Sequence, residues 1–261
     1  WSEAYLFTAE VTSNVNDLIS TVLVNVEAVT AYPPTWADDD TTAIWGPFSN
    51  GPLDPNDTAV TVHYDANTDI YTWSVSQKPK DAGDDEYQAI ISGQVEAGAT
   101  EEASEGWFAI DFELMHELNP TEDLIGKFIC TYGINGDNVK ASAAFEDFGD
   151  SDELINALYH YEQVAGGDGF MDLVIESDFT DGGEDELGVM RSRWTKDGAG
   201  RADSMAMGGD LGDTGLVPQS SECWNSSFEP VFYTDNWSLA EEGDVTECVF
   251  EEAEFNDTHD A

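Results

Sequence analysis

Hydrophobic residues recur at helical spacing near the start of the chain. The recurring positions lie between about residues 10 and 31, and they are Val11, Val15, Leu18, Ile19, Val22, Leu23, Val26 and Val29. This period predicts one amphipathic helix. Because many of these residues are β-branched and poor helix formers, the helix is expected to need packing against another element. Pro33-Pro34 ends it.

Beyond the helix, apolar and polar residues alternate in one short segment after another. The alternating segments cover residues 60–64, 71–75, 89–95, 107–118, 128–132, 139–145, 155–164, 170–178, 187–194 and 201–207. Such a strand has one apolar and one solvated face, which is typical of antiparallel sheets. In residues 107–118 the pattern places on one face Phe108, Ile110, Phe112, Leu114 and, at the end, His116.

These elements predict a mainly β (α+β) protein. We expect a curled antiparallel meander sheet, or half-barrel, with the one long N-terminal helix packed on its concave side. Residues 1–250 would form a single β-rich domain, and the acidic residues 251–261 a flexible tail.

The space between helix and sheet is the first candidate binding site. An apolar or lipid-like ligand there would contact Val15, Leu18, Ile19, Val22, Phe108, Ile110, Phe112, Leu114 and His116. For His116 two interpretations remain, a strand end that reaches solvent and a ligand or general base.

Acidic residues dominate the composition. The chain has 55 Asp and Glu against 8 Lys and Arg, a formal net charge of -47. Such a surface repels nucleic acid and anionic lipid headgroups and attracts cations. Adaptation to a salty environment and specific binding of divalent cations both explain it. Calcium is the one cofactor to consider, and its candidate ligands are Asp147, Asp150, Asp152 and Glu153. Ordinary solvated loops explain the same cluster.

The cysteines predict one disulfide. Cys223 and Cys248 flank a polar loop in the C-terminal segment, where a bond between them would compensate for a small core. Cys130 alternates with Phe128 and Tyr132 and is expected to be a buried free thiol. A disulfide favours an oxidising compartment. No run of apolar residues is long enough to span a membrane.

Four of the eight basic residues lie within eleven positions, which makes them a candidate anion site. They are Arg191, Arg193, Lys196 and Arg201. Ion pairs with the abundant carboxylates, holding a hairpin together, are the alternative explanation. The glycines at 198 and 200 predict tight turns or close backbone approach.

Motifs in this part of the chain resemble an uncharacterised family of predicted bacterial cell-envelope lipoproteins. The motifs are Arg193-Trp194, Gly198 to Asp203, Gly208 to Leu211 and Glu222 to Trp224. The resemblance implies export and a lipid anchor upstream of Trp1, and the start at Trp1 rather than Met fits a processed precursor. It implies no catalytic residues. Because it implies export, the location is expected to be extracellular, at the cell surface or periplasmic.

Three functions follow as hypotheses. The first is a non-enzymatic exported or cell-surface binding module. The second is a structural or assembly component that has envelope proteins as partners. The third is a hydrolase, but nucleophile-elbow, phosphate-loop, dinucleotide-loop and zinc-protease patterns are absent from the sequence.

Overall fold

The computed structural model describes residues 1–38, 41–49, 51, 53–100, 103–150, 153–180 and 182–255, with the backbone alone at position 213. Three α-helices are present in this part of the chain: α1 (Glu3–Thr30), α2 (Phe112–Leu118) and α3 (Gly209–Thr214). The strands are β1 (Trp36–Ala37), β2 (Thr42–Phe48), β3 (Asn56–Asp65), β4 (Ile70–Pro79), β5 (Gln88–Glu96), β6 (Ala103–Asp111), β7 (Ile125–Asn135), β8 (Asn138–Asp150), β9 (Glu153–Gln163), β10 (Gly169–Ser177), β11 (Glu186–Trp194), β12 (Gly200–Gly208), β13 (Gln219–Trp224), β14 (Pro230–Asp235) and β15 (Glu241–Gly243).

The 15 strands form one unclosed antiparallel sheet in which each strand lies beside its neighbours in sequence. The predicted fold class, mainly β with one long N-terminal helix, is confirmed. Each alternating segment named above overlaps a strand, and residues 60–64 and 71–75 pair as the β3–β4 hairpin. The sequence pattern had not indicated β1, β2 or β13 to β15, which are two to seven residues long.

The contacts within the chain group it into two compact units. Unit 1 comprises residues 1–16, 135–143 and 155–261, and unit 2 comprises residues 17–134 and 144–154. The first half of α1 therefore belongs to unit 1 and the second half to unit 2.

Helix α1 begins seven residues earlier than its hydrophobic period predicted. The Ser2 hydroxyl accepts a hydrogen bond from the Tyr5 amide at 3.0 Å, and the Glu222 carboxylate accepts one from the Ala4 amide at 3.0 Å. These acceptors satisfy N–H groups that the first turn of a helix leaves unpaired. The predicted start was wrong because one of these two caps comes from a strand more than 200 residues away. The predicted end near residue 31 agrees with Thr30.

The prediction of a continuous strand over residues 107–118 was also wrong. Strand β6 ends at Asp111, whose side chain accepts a hydrogen bond from the Leu114 amide at 2.9 Å and so caps α2. Phe112, Leu114 and His116 therefore lie on a helix. In so short a segment, apolar residues at alternate positions do not distinguish a strand from two helical turns, and the Asp111 cap decides for the helix.

The core of unit 2 is an aromatic cluster. The Phe108 ring centroid lies 5.8 Å from that of Phe128 and 6.2 Å from that of Trp73. Phe108 and Phe128 are fully buried. On the second half of α1, Ile19 and Val22 are buried as well, so the hydrophobic stripe supplies core residues as its period predicted.

No helix within the described residues combines the length and the hydropathy that crossing a membrane requires.

Candidate functional site

A cavity of about 340 Å³ lies in unit 1, between the first half of α1 and strands of the C-terminal part of the sheet. We call it the aromatic pocket. All of its lining side chains are uncharged: none carries a carboxylate, an ammonium, a guanidinium or an imidazole group. They are Tyr5, Thr8, Ala9, Thr12, Ser13, Asn16, Tyr161, Gln163, Trp194, Gly198, Trp224 and Phe228.

The helix contributes a polar stripe to this pocket. Thr8, Thr12 and Asn16 are spaced four residues apart, which places them on one face of α1. The Thr8 hydroxyl is hydrogen bonded to that of Ser192 at 2.9 Å, and the Asn16 side-chain oxygen accepts from the Tyr159 hydroxyl at 3.3 Å. These bonds hold the helix stripe against β9 and β11.

Two groups of aromatic rings complete the lining. Tyr5 stacks on Phe228 with ring centroids 4.2 Å apart, and its centroid is 6.0 Å from that of Trp224. In the second group, the centroids of Tyr161 and Trp194 are 6.1 Å apart. The pocket thus offers aromatic surface together with the hydroxyl and amide groups of α1.

Both tryptophans of the pocket lie against a glycine of the neighbouring strand. In the strand register Gly200 pairs with Trp224, and Gly169 pairs with Trp194. A Cβ atom on Gly169 would lie 2.5 Å from Cε2 of Trp194, and a Cβ atom on Gly200 would overlap the Trp224 indole. The absence of a side chain at these two positions lets the rings lie close to the backbone.

Hydrogen bonds within the protein also fix both indoles. Trp194 Nε1 donates to the side-chain oxygen of Gln163, and Trp224 Nε1 donates to the Gly198 carbonyl, each at 2.8 Å. The Gln163 amide nitrogen donates in turn to the carbonyls of Val164 and Gly167. The rings are therefore held in place by the protein itself.

Tyr161 adds no charge to the pocket at neutral pH. Burial raises the pKa of its phenol above the ordinary value. The pocket consequently stays uncharged within a chain whose net charge is -47.

The structure places the nine predicted ligand residues outside this lining. Five of them are core residues with at most 8% exposure: Val15, Ile19, Val22, Phe108 and Ile110. The other four, Leu18, Phe112, Leu114 and His116, are partly buried. His116 lies on α2, where its Nδ1 atom is 2.6 Å from the Glu122 carbonyl oxygen. Sequence reasoning missed the pocket, although the glycines at 198 and 200 and the nearby tryptophans were usable indications of it.

The basic cluster lies on the other face of the same strands. Residues next to each other on a strand point to opposite faces, so Arg193 faces away from Trp194. Arg193 forms an ion pair with Asp172 at 2.7 Å, and the buried side chains of Arg201 and Asp203 form a second ion pair at 2.9 Å. The Ser221 hydroxyl donates to Asp203 at 2.6 Å. The Asp172 and Asp203 carboxylates are the kind of partners that the alternative explanation of the cluster, ion pairs within a hairpin, predicts.

The last described residues of the chain cover this cluster. We call residues 248–255 the C-terminal strap. Arg191 donates to the Glu254 carbonyl at 2.8 Å, and the Ala253 amide donates to Asp203 at 3.0 Å. The predicted disulfide between Cys223 and Cys248 is confirmed and anchors the strap to β13. Cys130 is buried and unpaired, as predicted.

One serine and one histidine stand in a geometry relevant to hydrolysis. Ser142 Oγ lies 2.7 Å from Nδ1 of His160. The cross-strand neighbour of His160 is Asp172, the position from which a carboxylate would orient the imidazole. That carboxylate is hydrogen bonded to Arg193 instead, so its charge is already compensated by the guanidinium.

The calcium prediction concerns residues at the end of β8 and the start of β9. Asp150 accepts a hydrogen bond from the Glu153 amide at 3.1 Å, and Asp152 lies outside the described residues. Within the described part of the chain, no three His, Cys, Asp or Glu side chains come together as a metal-ligand set. Calcium binding by Asp147, Asp150 and their neighbours stays a prediction.

Compared with models of known protein families, with curated proteins and with solved structures, the chain gives no match.

Proposed function

We propose that this chain is a non-enzymatic binding module that holds a small uncharged ligand in the aromatic pocket of unit 1. The observation that carries the proposal is that the protein itself holds the aromatic rings of the pocket in place before any ligand binds. Trp194 and Trp224 are each held by a hydrogen bond and a neighbouring glycine. Rings that are ordered before a ligand arrives lose little conformational entropy when it binds.

The size of the pocket supports a small ligand. Its volume of about 340 Å³ is near the lower end of the range of about 300–1,000 Å³ that is usual for ligand sites. Aromatic side chains with a few convergent polar groups are also the usual composition of such sites.

An exported location is part of the proposal. The Cys223–Cys248 disulfide is compatible with an oxidising compartment, extracellular or periplasmic. The resemblance of the motifs between Arg193 and Trp224 to cell-envelope lipoproteins supports the same location.

Binding is preferred to hydrolysis for a physical reason. A serine hydroxyl needs a base whose imidazole is oriented and stabilised by a third group. At Ser142 and His160 the candidate third group, Asp172, is engaged by Arg193 at 2.7 Å.

A variant that fills the pocket tests the proposal. Ala9 lines the pocket, whereas Ala28 is exposed farther along the same helix. We expect Ala9→Trp to abolish binding of the uncharged fluorescent probe N-phenyl-1-naphthylamine and Ala28→Trp to leave it unchanged. Circular dichroism confirms that both variants keep the fold. Equal probe binding by the wild type and the folded Ala9→Trp variant would overturn the proposal.

A further inference from the structure

We infer that the aromatic pocket takes a neutral polyhydroxylated ring compound, of the size of one or two sugar rings, rather than a lipid. This inference rests on the proposed function and specifies its ligand. Three features of the lining carry it: the aromatic surface, the hydrogen-bonding state of its polar groups and the absence of charged side chains.

The aromatic surface suits a ring with two different faces. The π face of an aromatic ring is electron-rich, and it attracts groups that carry a partial positive charge. The axial C–H groups of a pyranose provide such a face, while its hydroxyl groups point outwards. Tyr161 with Trp194, and Tyr5 with Phe228, form two aromatic groups in the same pocket.

Polar groups of the lining can accept hydrogen bonds from the ligand. The Thr12 hydroxyl donates its hydrogen to the Thr8 carbonyl at 2.7 Å, which leaves its oxygen as an acceptor. Both indole N–H groups and the Gln163 amide nitrogen are likewise committed to partners within the protein. A ligand with several O–H groups complements these lining groups, because each of its hydroxyls brings a donor.

A hydrocarbon chain fits the same surface less well. It would remove the remaining hydrogen-bonding capacity of Thr12 and Asn16 from water without replacing it, and a polar atom that loses water without gaining a partner costs free energy. The lining also includes the polar side chains of Thr8, Ser13 and Gln163 and the hydroxyl groups of Tyr5 and Tyr161.

The absence of charged side chains in the lining favours neutral ligands over ionised ones. None of the lining residues is Lys, Arg, His, Asp or Glu, so neither a carboxylate nor an ammonium group would find an ionic partner. The net charge of -47 adds long-range repulsion against anions such as fatty acids. The combination of aromatic surface, acceptor oxygens and neutrality leaves a neutral polyol ring as the best match.

Competition against N-phenyl-1-naphthylamine distinguishes the two ligand classes. The competitors are methyl β-glucoside, N-acetylglucosamine and cellobiose as neutral sugars, and 1-decanol as a neutral lipid-like compound. We expect at least one sugar to displace the probe at millimolar concentration. Displacement by decanol alone would overturn the inference and leave the proposed function standing. Failure of every competitor would overturn it as well, and the Ala9→Trp result then decides separately on the proposed function.

Thr12→Val sharpens the test because valine keeps the shape of threonine and removes the acceptor oxygen. We expect sugar affinity to fall roughly threefold to tenfold, the effect of one hydrogen bond, while decanol binds equally or more tightly. Thr21→Val on the exposed side of the same helix is the matched control and should change neither. Unchanged sugar affinity in Thr12→Val would contradict the inference.

Discussion

The Trp224 indole lies directly against the backbone of Gly200, its partner on the adjacent strand. This close approach depends on the missing side chain at position 200. The approach places the Trp224 ring, which is 2% exposed, at the edge of the pocket. In this position its Nε1 atom donates a hydrogen bond to the Gly198 carbonyl. The contact links a glycine in the sequence to the shape of the aromatic pocket.

A methyl group at position 200 should therefore displace the ring. We expect Gly200→Ala to lower the free energy of unfolding by about 1–3 kcal/mol, the usual cost of overpacking, and to weaken probe binding. Gly212 has no atom within 4 Å of its added Cβ position, so Gly212→Ala is the control. Urea denaturation measures both variants. Equal stability of the two would contradict the close contact between Gly200 and Trp224.

The disulfide should stabilise the strap more than the rest of the chain. Cys223 and Cys248 close a loop with a sequence separation of 25 residues, for which loop entropy suggests about 3 kcal/mol. In the double variant Cys223→Ala with Cys248→Ala, we expect faster amide exchange in residues 248–255. Hydrogen exchange read by mass spectrometry measures this. Unchanged protection of the strap would show that Arg191 and Asp203 hold it without the covalent link.

The ion pair beneath the strap should be sensitive to the loss of one partner. Arg201 and Asp203 are 4% and 3% exposed. Arg201→Met leaves the Asp203 carboxylate buried without its cation, which typically costs about 3–5 kcal/mol. Arg191→Met removes a more exposed guanidinium and should cost less than about 1 kcal/mol. Chemical denaturation of both variants gives the comparison, and equal losses would show that burial of the pair is not the cause.

Cys130 should be unreactive until the protein unfolds. Burial raises the pKa of its thiol from 9.0 to about 12, so little thiolate forms at pH 8 in the folded state. We expect iodoacetamide to label Cys130 only in denaturant, as intact mass would show. Rapid labelling of the native protein would contradict its burial.

The same pKa gives a pH dependence. Below pH 9.0 the thiol is neutral in both states, and the preference for the folded state is fully present. As the pH rises from 9.0 towards about 12, the unfolded state loses its proton first, so stability falls. Tyrosines ionise in this range too, so the test compares wild type with Cys130→Ala. The wild type should lose more stability between these pH values, and parallel curves would rule the thiol out as a cause.

Salt should stabilise the protein. With a net charge of -47, repulsion between carboxylates opposes the compact state, and the screening length shortens to about 3 Å at 1 M. Thermal melts over a sodium chloride series should show a rising midpoint. If millimolar calcium raises the midpoint far more than sodium at matched ionic strength, specific calcium sites exist. A flat or falling midpoint would contradict the screening argument.

Local periodicity in the sequence determined most of the fold. The helical spacing of Ile19 and Val22 and the alternation along β3 and β4 are properties of short segments, and burial of one face follows from them. The pairing of Cys223 with Cys248 was also predictable, because both lie in one short polar segment. Net charge, which is a sum over residues, needed no structure either.

The tertiary structure alone decided the start of α1 and the position of the pocket. Glu222 caps the helix across more than 200 residues, and Tyr5 meets Trp224 and Phe228 over a similar separation. No periodicity within a segment records such pairs. They depend on the register of β9 to β13 and on where the helix rests, which the whole set of contacts determines together. For that reason five of the nine predicted ligand residues became core, and the neutral aromatic pocket formed from residues distant in the sequence.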